Sequence, residues 1–244
     1  MKKIVILSTD TPHHRYFINT LTKDVPITGC IFEKESVRPP FATGPLFEDQ
    51  EAAFEHEHFF KNLSSSLTTS ISEVKQINST ESLIKLRALS PDFGIVFGTR
   101  KLSPEIIAVF RDGLINVHRG ISQEYRGLDS DLWAIYHDDY ANLGTTIHQI
   151  EPNLDTGKII YQEHLELKQG MKTHQIRFYT TIIATRLVKN AVDDYLNNRL
   201  SPYPQPHKGR YYSFMPLELK KIITEKFNRY CEGLHATASA RLSN

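Results

Sequence analysis

Short apolar runs alternate along this chain with stretches of helical periodicity. Ile4 to Leu7 is continuously apolar, the pattern of a central parallel strand covered on both faces. Tyr16, Phe17 and Leu21 form part of a stripe in a helix opening at about Pro12, and Val25 to Phe32 supplies a second strand. Ser36 to Pro45 carries three prolines and a glycine and reads as a loop. Glu48 to Leu63 reads as a helix and Ser64 to Ser70 as a polar surface loop. Leu83, Leu86 and Leu89 recur at helical spacing over Thr80 to Leu89, with Ser79 or Thr80 available as cap.

Phe93 to Phe97 is again a buried-type strand, Pro104 to Phe110 a short helix, and Leu114 to Val117 a further strand. A capped helix starts within Leu128 to Trp133, where Trp133 reads as core packing. Two more strands flank a loop at Asp155. Thr173 to Leu196 is a long helical pattern built on Ile176, Tyr179, Ile183, Leu187 and Ala191. Pro202, Pro204 and Pro206 impose an extended segment, a last helix begins at Pro216, and the Ala/Ser-rich stretch from His235 is expected to fray. No internal repeat is present. Strands alternating with helices predict an α/β fold, a mainly parallel sheet with helices on both faces.

At 244 residues the chain holds one substantial core, or one α/β domain with an appendage. The expected division is a catalytic domain over 1–165 and a helical extension over 166–244. Lys plus Arg is 29 against 28 for Asp plus Glu, so no global basic footprint asks for nucleic acid or a membrane surface. Cys30 and Cys231 are the only cysteines, which fits a reducing compartment rather than a disulfide scaffold. The opening Met-Lys-Lys-Ile-Val-Ile-Leu-Ser is too short in its apolar run for a signal segment and reads as a first strand. No window approaches the ~18 apolar residues of a membrane span. A cytoplasmic location is expected.

The stretch from Gly113 to Ile160 carries the chemistry. Asn116 and His118 sit two apart in an apolar run, so on a strand they point to the same side, at the carboxyl end where ligands bind in such sheets. Asp155 follows in the loop between two strands. An amide, an imidazole and a carboxylate can stabilise an oxyanion and move a proton without a metal or a covalent nucleophile. The His56-x-His58 pair is no metal site, since i and i+2 diverge on a helix. No metal is expected.

Asn116-Val117-His118, Tyr125-Arg126-Gly127 and Asp155-Thr156-Gly157 appear in that order. The arrangement resembles the formyltransferase family that uses 10-formyltetrahydrofolate, with the extended match running from about Pro91 to Tyr161. The resemblance implies a formyltransferase-like, Rossmann-type sheet with a small helical C-terminal extension. It implies catalytic roles for Asn116, His118 and Asp155; sequence alone does not separate the base from the orienting group. It further implies that the folate cosubstrate lies against Phe97, Thr99, Arg100 and Leu102, and against Gln149, Ile150, Glu151, Pro152 and Asn153 ahead of Asp155.

Members of the family commonly have Pro or Ser after the histidine and then Leu-Leu-Pro, whereas this chain has Arg119, Gly120, Ile121, Ser122 and Gln123. Arg119 can meet an anionic acceptor or the folate glutamate, or face solvent. Ser8 to His14 lacks the glycine-rich phosphate loop of the glycinamide ribonucleotide enzymes, and 166–244, about 80 residues, is short beside the C-terminal domain of the tRNA enzymes. Size points instead to the sugar N-formyltransferases, which act on a nucleotide-linked amino sugar. Asp10, Arg119, Lys208, Arg210 and Tyr211 are the candidate acceptor contacts, and 208–212 reads equally as a surface turn. A deformylating hydrolase would use the same trio but normally carries a regulatory domain ahead of it, and no such domain is expected before Met1. A catalytically silent folate-binding domain is the cross-class alternative. The expected partner is a small-molecule amine acceptor, and a homodimer stays open.

Overall fold

The computed structural model describes residues 2–151 and 155–240, the last six of these by backbone alone. Among the described residues, nine strands form two sheets. The larger contains β1 (Ile4–Ser8), β2 (Ile27–Glu33), β3 (Ile71–Val74), β4 (Phe93–Phe97), β5 (Leu114–His118), β7 (Gly144–Gln149) and β8 (Ile159–His164), in the spatial order β3-β2-β1-β4-β5-β7-β8. The strands β1 to β5 run parallel, and β7 and β8 add an antiparallel edge. A parallel two-stranded sheet joins β6 (Tyr125–Gly127) to β9 (Arg210–Tyr212).

Alternation along the central strands divides the core into two layers. Ile4 and Ile6 of β1 point into one layer, which they share with Phe17, Ile18 and Leu21 of α1 (Pro12–Leu21) and with Ala184, Val188 and Val192 of α6 (Ile176–Leu196). Val5 and Leu7 point into the other, with Leu86 of α3 (Thr80–Leu89), Ile106 of α4 (Pro104–Ile107) and Phe110. The sheet is therefore covered on both faces, as the alternation of strands and helices predicts.

Residues 166–196, set apart in the sequence as the start of an extension, contribute α6, which packs against α1 and β7. α5 (Ser130–Tyr136) packs against α7 (Leu217–Ala240). α2 (Glu48–Phe60) lies beside α1 and α6, where Glu51 and Glu55 grip Arg177 at 2.6 and 2.5 Å in a buried ion cluster. α3 is capped by Ser79, whose Oγ accepts from Ser82 N–H. Trp133 packs against the first core layer, its ring stacked on Tyr212.

Several boundaries differ from the sequence pattern. β3 escapes it because it is a four-residue strand at the sheet edge, with Ser72 and Glu73 in its middle and little apolar alternation. β6 and β9 escape it because three residues carry no periodicity. Helix α4 stops at Ile107, three residues before Phe110, and α7 continues to Ala240, past the fraying expected from His235. Both cysteines are buried and free. Among the described residues no helix is long and apolar enough to cross a membrane.

Candidate active site

Leu114, Asn116 and His118 form one side of β5, with Ile115 and Val117 turned into the opposite core layer. Leu114 still packs in the second layer beside α4 and Phe110. That layer ends there, so the next two positions of the row carry polar side chains toward an open cavity. The antiparallel register sets Asn116 opposite His148 and His118 opposite Thr146. A two-residue spacing in β5 is thus matched by a two-residue spacing in β7.

Four side chains meet at this point. Asn116 Nδ2 lies 3.2 Å from His148 Nε2 and 3.4 Å from Asp155 Oδ1. His148 Nε2 is 3.4 Å from the same carboxylate oxygen, and His118 Nδ1 is 3.7 Å from Asp155 Oδ2. The Gly127 N–H donates to Oδ2 at 2.8 Å. Hydrogen bonding on the far sides of both rings decides which nitrogen carries a proton. His118 Nε2 is 2.8 Å from the Tyr125 carbonyl and must donate to it, leaving Nδ1 turned to the carboxylate. His148 Nδ1 donates to the Gln149 carbonyl at 2.8 Å, so Nε2 is free to accept from Asn116.

Burial pushes the His118 imidazole below its ordinary value, against the pull of Asp155. At neutral pH it is the neutral tautomer with its Nδ1 lone pair exposed to the site. Burial works to raise the Asp155 carboxyl, but His118 and His148 in their protonated forms, together with the Gly127 N–H, outweigh it and hold the group well below the usual carboxylate range. The site therefore presents an ionised acid beside an unprotonated base.

Backbone sterics explain why glycines accompany these residues. Asp155 has φ +52°, a left-handed conformation that Asp tolerates better than most residues. Two residues on, a Cβ at Gly157 would lie 1.7 Å from the Gln149 carbonyl oxygen. At Gly127, with φ +92°, a Cβ would lie 2.0 Å from the Tyr212 carbonyl oxygen. The tight approach of these chains is what brings the Gly127 N–H to the carboxylate.

The four groups line one wall of a cavity of about 670 Å³. Phe97, Thr99, Arg100, Leu102, Ile150 and Glu151 lie on its wall, as do Asp10, Arg119 and Tyr211. Gln149 lies off the wall and takes part through its carbonyl, and Pro152 and Asn153 fall outside the described residues. Arg100 is spent structurally: its guanidinium pairs with buried Glu33 and donates to the Glu35 carbonyl. Asp10 is paired with Arg15 at 2.5 Å.

Lys208 and Arg210, expected as acceptor contacts, are not on the wall of this cavity. The reason is strand alternation in β9: Tyr211 turns toward the cavity, so its neighbour Arg210 turns away. Tyr212, also turned away, stacks on Trp133. His148 is the site residue that sequence reasoning passed over. Its signal was a polar residue alternating with Thr146 in the strand that leads to Asp155.

A sequence profile described as formyl transferase matches residues 47–182. The chain belongs to the formyl transferase family. Methionyl-tRNA formyltransferase from Thermodesulfovibrio yellowstonii is 28% identical over 128 residues, which are 52% of this chain and 41% of that protein. The chain thus spans about two fifths to one half of the length of the methionyl-tRNA relatives it matches. Among solved formyltransferase structures, a sugar N-formyltransferase from a Shewanella species superposes with a TM-score of 0.62 at 14% identity, covering 87% of this chain and 77% of that one. The formyltransferase PseJ from Anoxybacillus kamchatkensis, solved with UDP-4,6-dideoxy-4-formamido-L-AltNAc and tetrahydrofolate, gives a TM-score of 0.55 at 20% identity, covering 86% and 85%. At these identities the structural likeness is one of fold.

Proposed function

We propose that this protein transfers a formyl group from 10-formyltetrahydrofolate to a primary amine on a small anionic acceptor, of which a nucleotide-linked amino sugar fits best. The observation that carries the reading is the meeting of Asn116, His118 and Asp155 on the wall of one large cavity.

The cavity suits a pterin. Phe97, Leu102 and Ile150 offer apolar surface, and the adjoining loops offer backbone donors and acceptors. The bound folate supplies the formyl carbon as an electrophile. Negative charge then develops on the formyl oxygen, where the Asn116 amide can donate a hydrogen bond once its long 3.4 Å contact with Asp155 gives way. His118 Nδ1, held as a lone pair by the Tyr125 carbonyl on the other side of the ring, takes the proton lost by the amine. The Asp155 carboxylate stabilises the imidazolium so formed, and that proton then passes to the folate nitrogen as its bond to the formyl carbon breaks. His148 orients the amide by accepting from Nδ2.

On the acceptor side, Tyr211 supplies an exposed aromatic face at the cavity wall, and Arg119 a cation loosely paired with Asp131 at 3.7 Å. Both suit a base or sugar joined to phosphate. The PseJ likeness, over most of both chains, supports a nucleotide sugar, and the methionyl-tRNA relatives support a second reading with charged tRNA as acceptor.

The test is a panel assay with 10-formyltetrahydrofolate in which mass spectrometry reports one added formyl group. Amino sugars on nucleotides should gain it. Formylation of charged initiator tRNA or glycinamide ribonucleotide, with none of the sugars, would overturn the acceptor, and formate release without any amine would favour a hydrolase.

A further inference from the structure

The loop that carries Asp155 is held by a residue fifty positions later in the chain. Gln205 Nε2 donates to the Asp155 carbonyl and to the Gly157 carbonyl, both at 2.9 Å. These two acceptors bracket the turn in which Asp155 takes its left-handed φ of +52°. A single amide nitrogen therefore ties together the two ends of the Asp-x-Gly turn. The carboxylate of that turn reaches His118, Asn116, His148 and Gly127.

Gln205 is itself fixed from both sides. Two residues before it, Tyr203 forms a bridge with Ile159 of β8, with N–H to carbonyl distances of 2.8 and 2.9 Å. Four residues after it, the Gly209 carbonyl accepts from Arg126 Nε at 2.7 Å, and Arg210 N–H donates to the Glu124 carbonyl at 3.0 Å. Leu128 N–H then bonds the Tyr212 carbonyl. Residues 203–212 thus form a strap that runs from the strand after Asp155 to the segment that supplies Gly127. Gly209 lies so close to this segment that a Cβ there would meet the Gln123 carbonyl carbon at 2.7 Å.

We infer that Gln205 is a positioning residue for formyl transfer, setting the Asp155 carboxylate against His118 through the two carbonyls of its turn. This rests on the proposed role of the Asn116, His118 and Asp155 trio. Preorganisation is the physical reason: displacement of a reacting group by about 1 Å can cost as much as 100-fold in rate. Gln205 is suited to the task because its amide donates twice, whereas a carboxylate at the same place would repel both carbonyl oxygens.

The experiment compares Gln205→Ala, Gln205→Glu and Gln205→Lys with His118→Ala, measuring kcat and KM for both substrates and amide hydrogen exchange at Gly127. Gln205→Ala and Gln205→Glu should lose about tenfold or more in kcat, with both KM values changed less than about threefold. The Gly127 amide, which donates to Asp155, should exchange faster in both. Gln205→Lys, an N–H donor of similar reach, should recover part of kcat and of the protection. Wild-type kcat and wild-type Gly127 protection in Gln205→Ala, alongside an inactive His118→Ala, would overturn the inference and leave the catalytic reading standing. Wild-type turnover in His118→Ala would instead overturn the catalytic reading itself, while the exchange measurement would still report whether Gln205 holds the turn.

Discussion

Asn116 and His148 face each other across the antiparallel β5–β7 pair, with the amide nitrogen 3.2 Å from His148 Nε2. Because His148 Nδ1 is committed to the Gln149 carbonyl, Nε2 of the neutral ring accepts, which matches the nitrogen end of the Asn116 amide as donor. Replacing Asn116 by Ala should lower kcat by roughly 100-fold or more, the loss found when an oxyanion donor is removed. His148→Ala should cost less, about tenfold, since it acts through the amide's orientation. Steady-state kinetics with a separate measurement of folate affinity checks both. Near-normal kcat in Asn116→Ala would remove the amide from the mechanism.

The ionisation of His118 and Asp155 makes a signed prediction about pH. Both groups have folded-state values depressed below their ordinary ones. The folded state therefore binds fewer protons than the unfolded one, and stability should fall as pH drops. The His118 contribution is complete above the ordinary histidine value of about 6.5 and declines below it; that of Asp155 declines below about 4. Chemical denaturation between pH 8 and pH 3 should show both, and Asp155→Asn should flatten the more acidic limb. In an NMR titration, the His118 ring should protonate below about pH 6.5. A midpoint above 7 would mean that the base is charged at rest and cannot take a proton.

Gly157→Ala should be among the costlier single-methyl additions in the chain. The new Cβ would sit 1.7 Å from a backbone oxygen, and neither strand can yield without opening the Asp155 turn. Overpacking of this sort costs roughly 1–3 kcal/mol, which in a domain of this size lowers Tm by roughly 2–12 °C. Differential scanning calorimetry checks it. An unchanged Tm would show that the turn relaxes without penalty.

Tyr211 and Arg210 are neighbours with opposite expected effects. Tyr211→Ala should raise the acceptor KM several-fold with little change in kcat, because it removes uniform binding rather than transition-state contacts. Arg210→Ala and Lys208→Ala should leave acceptor kinetics at the wild-type level, since neither residue is on the cavity wall. A raised acceptor KM in Arg210→Ala alone would reverse this assignment of faces.

The alternation of strands and helices was legible in the chain because periods of two and of three to four residues are local properties, visible in any short window. The trio was legible for a related reason. Asn116 and His118 are two apart, and Asp155 stands in a loop beside a glycine, so their motifs are short and nearly contiguous. What only the tertiary structure decided depends on register and on facing between distant segments. His148 became a site residue because β7 pairs with β5 in the one register that sets it opposite Asn116, and Gln205 because its amide meets the turn at Asp155. The choice between Tyr211 and Arg210 required β9 to exist at all, and three residues make a strand only when β6 is there to bond them. Local pattern specifies which elements form, whereas long-range hydrogen bonding specifies which side chains share a cavity.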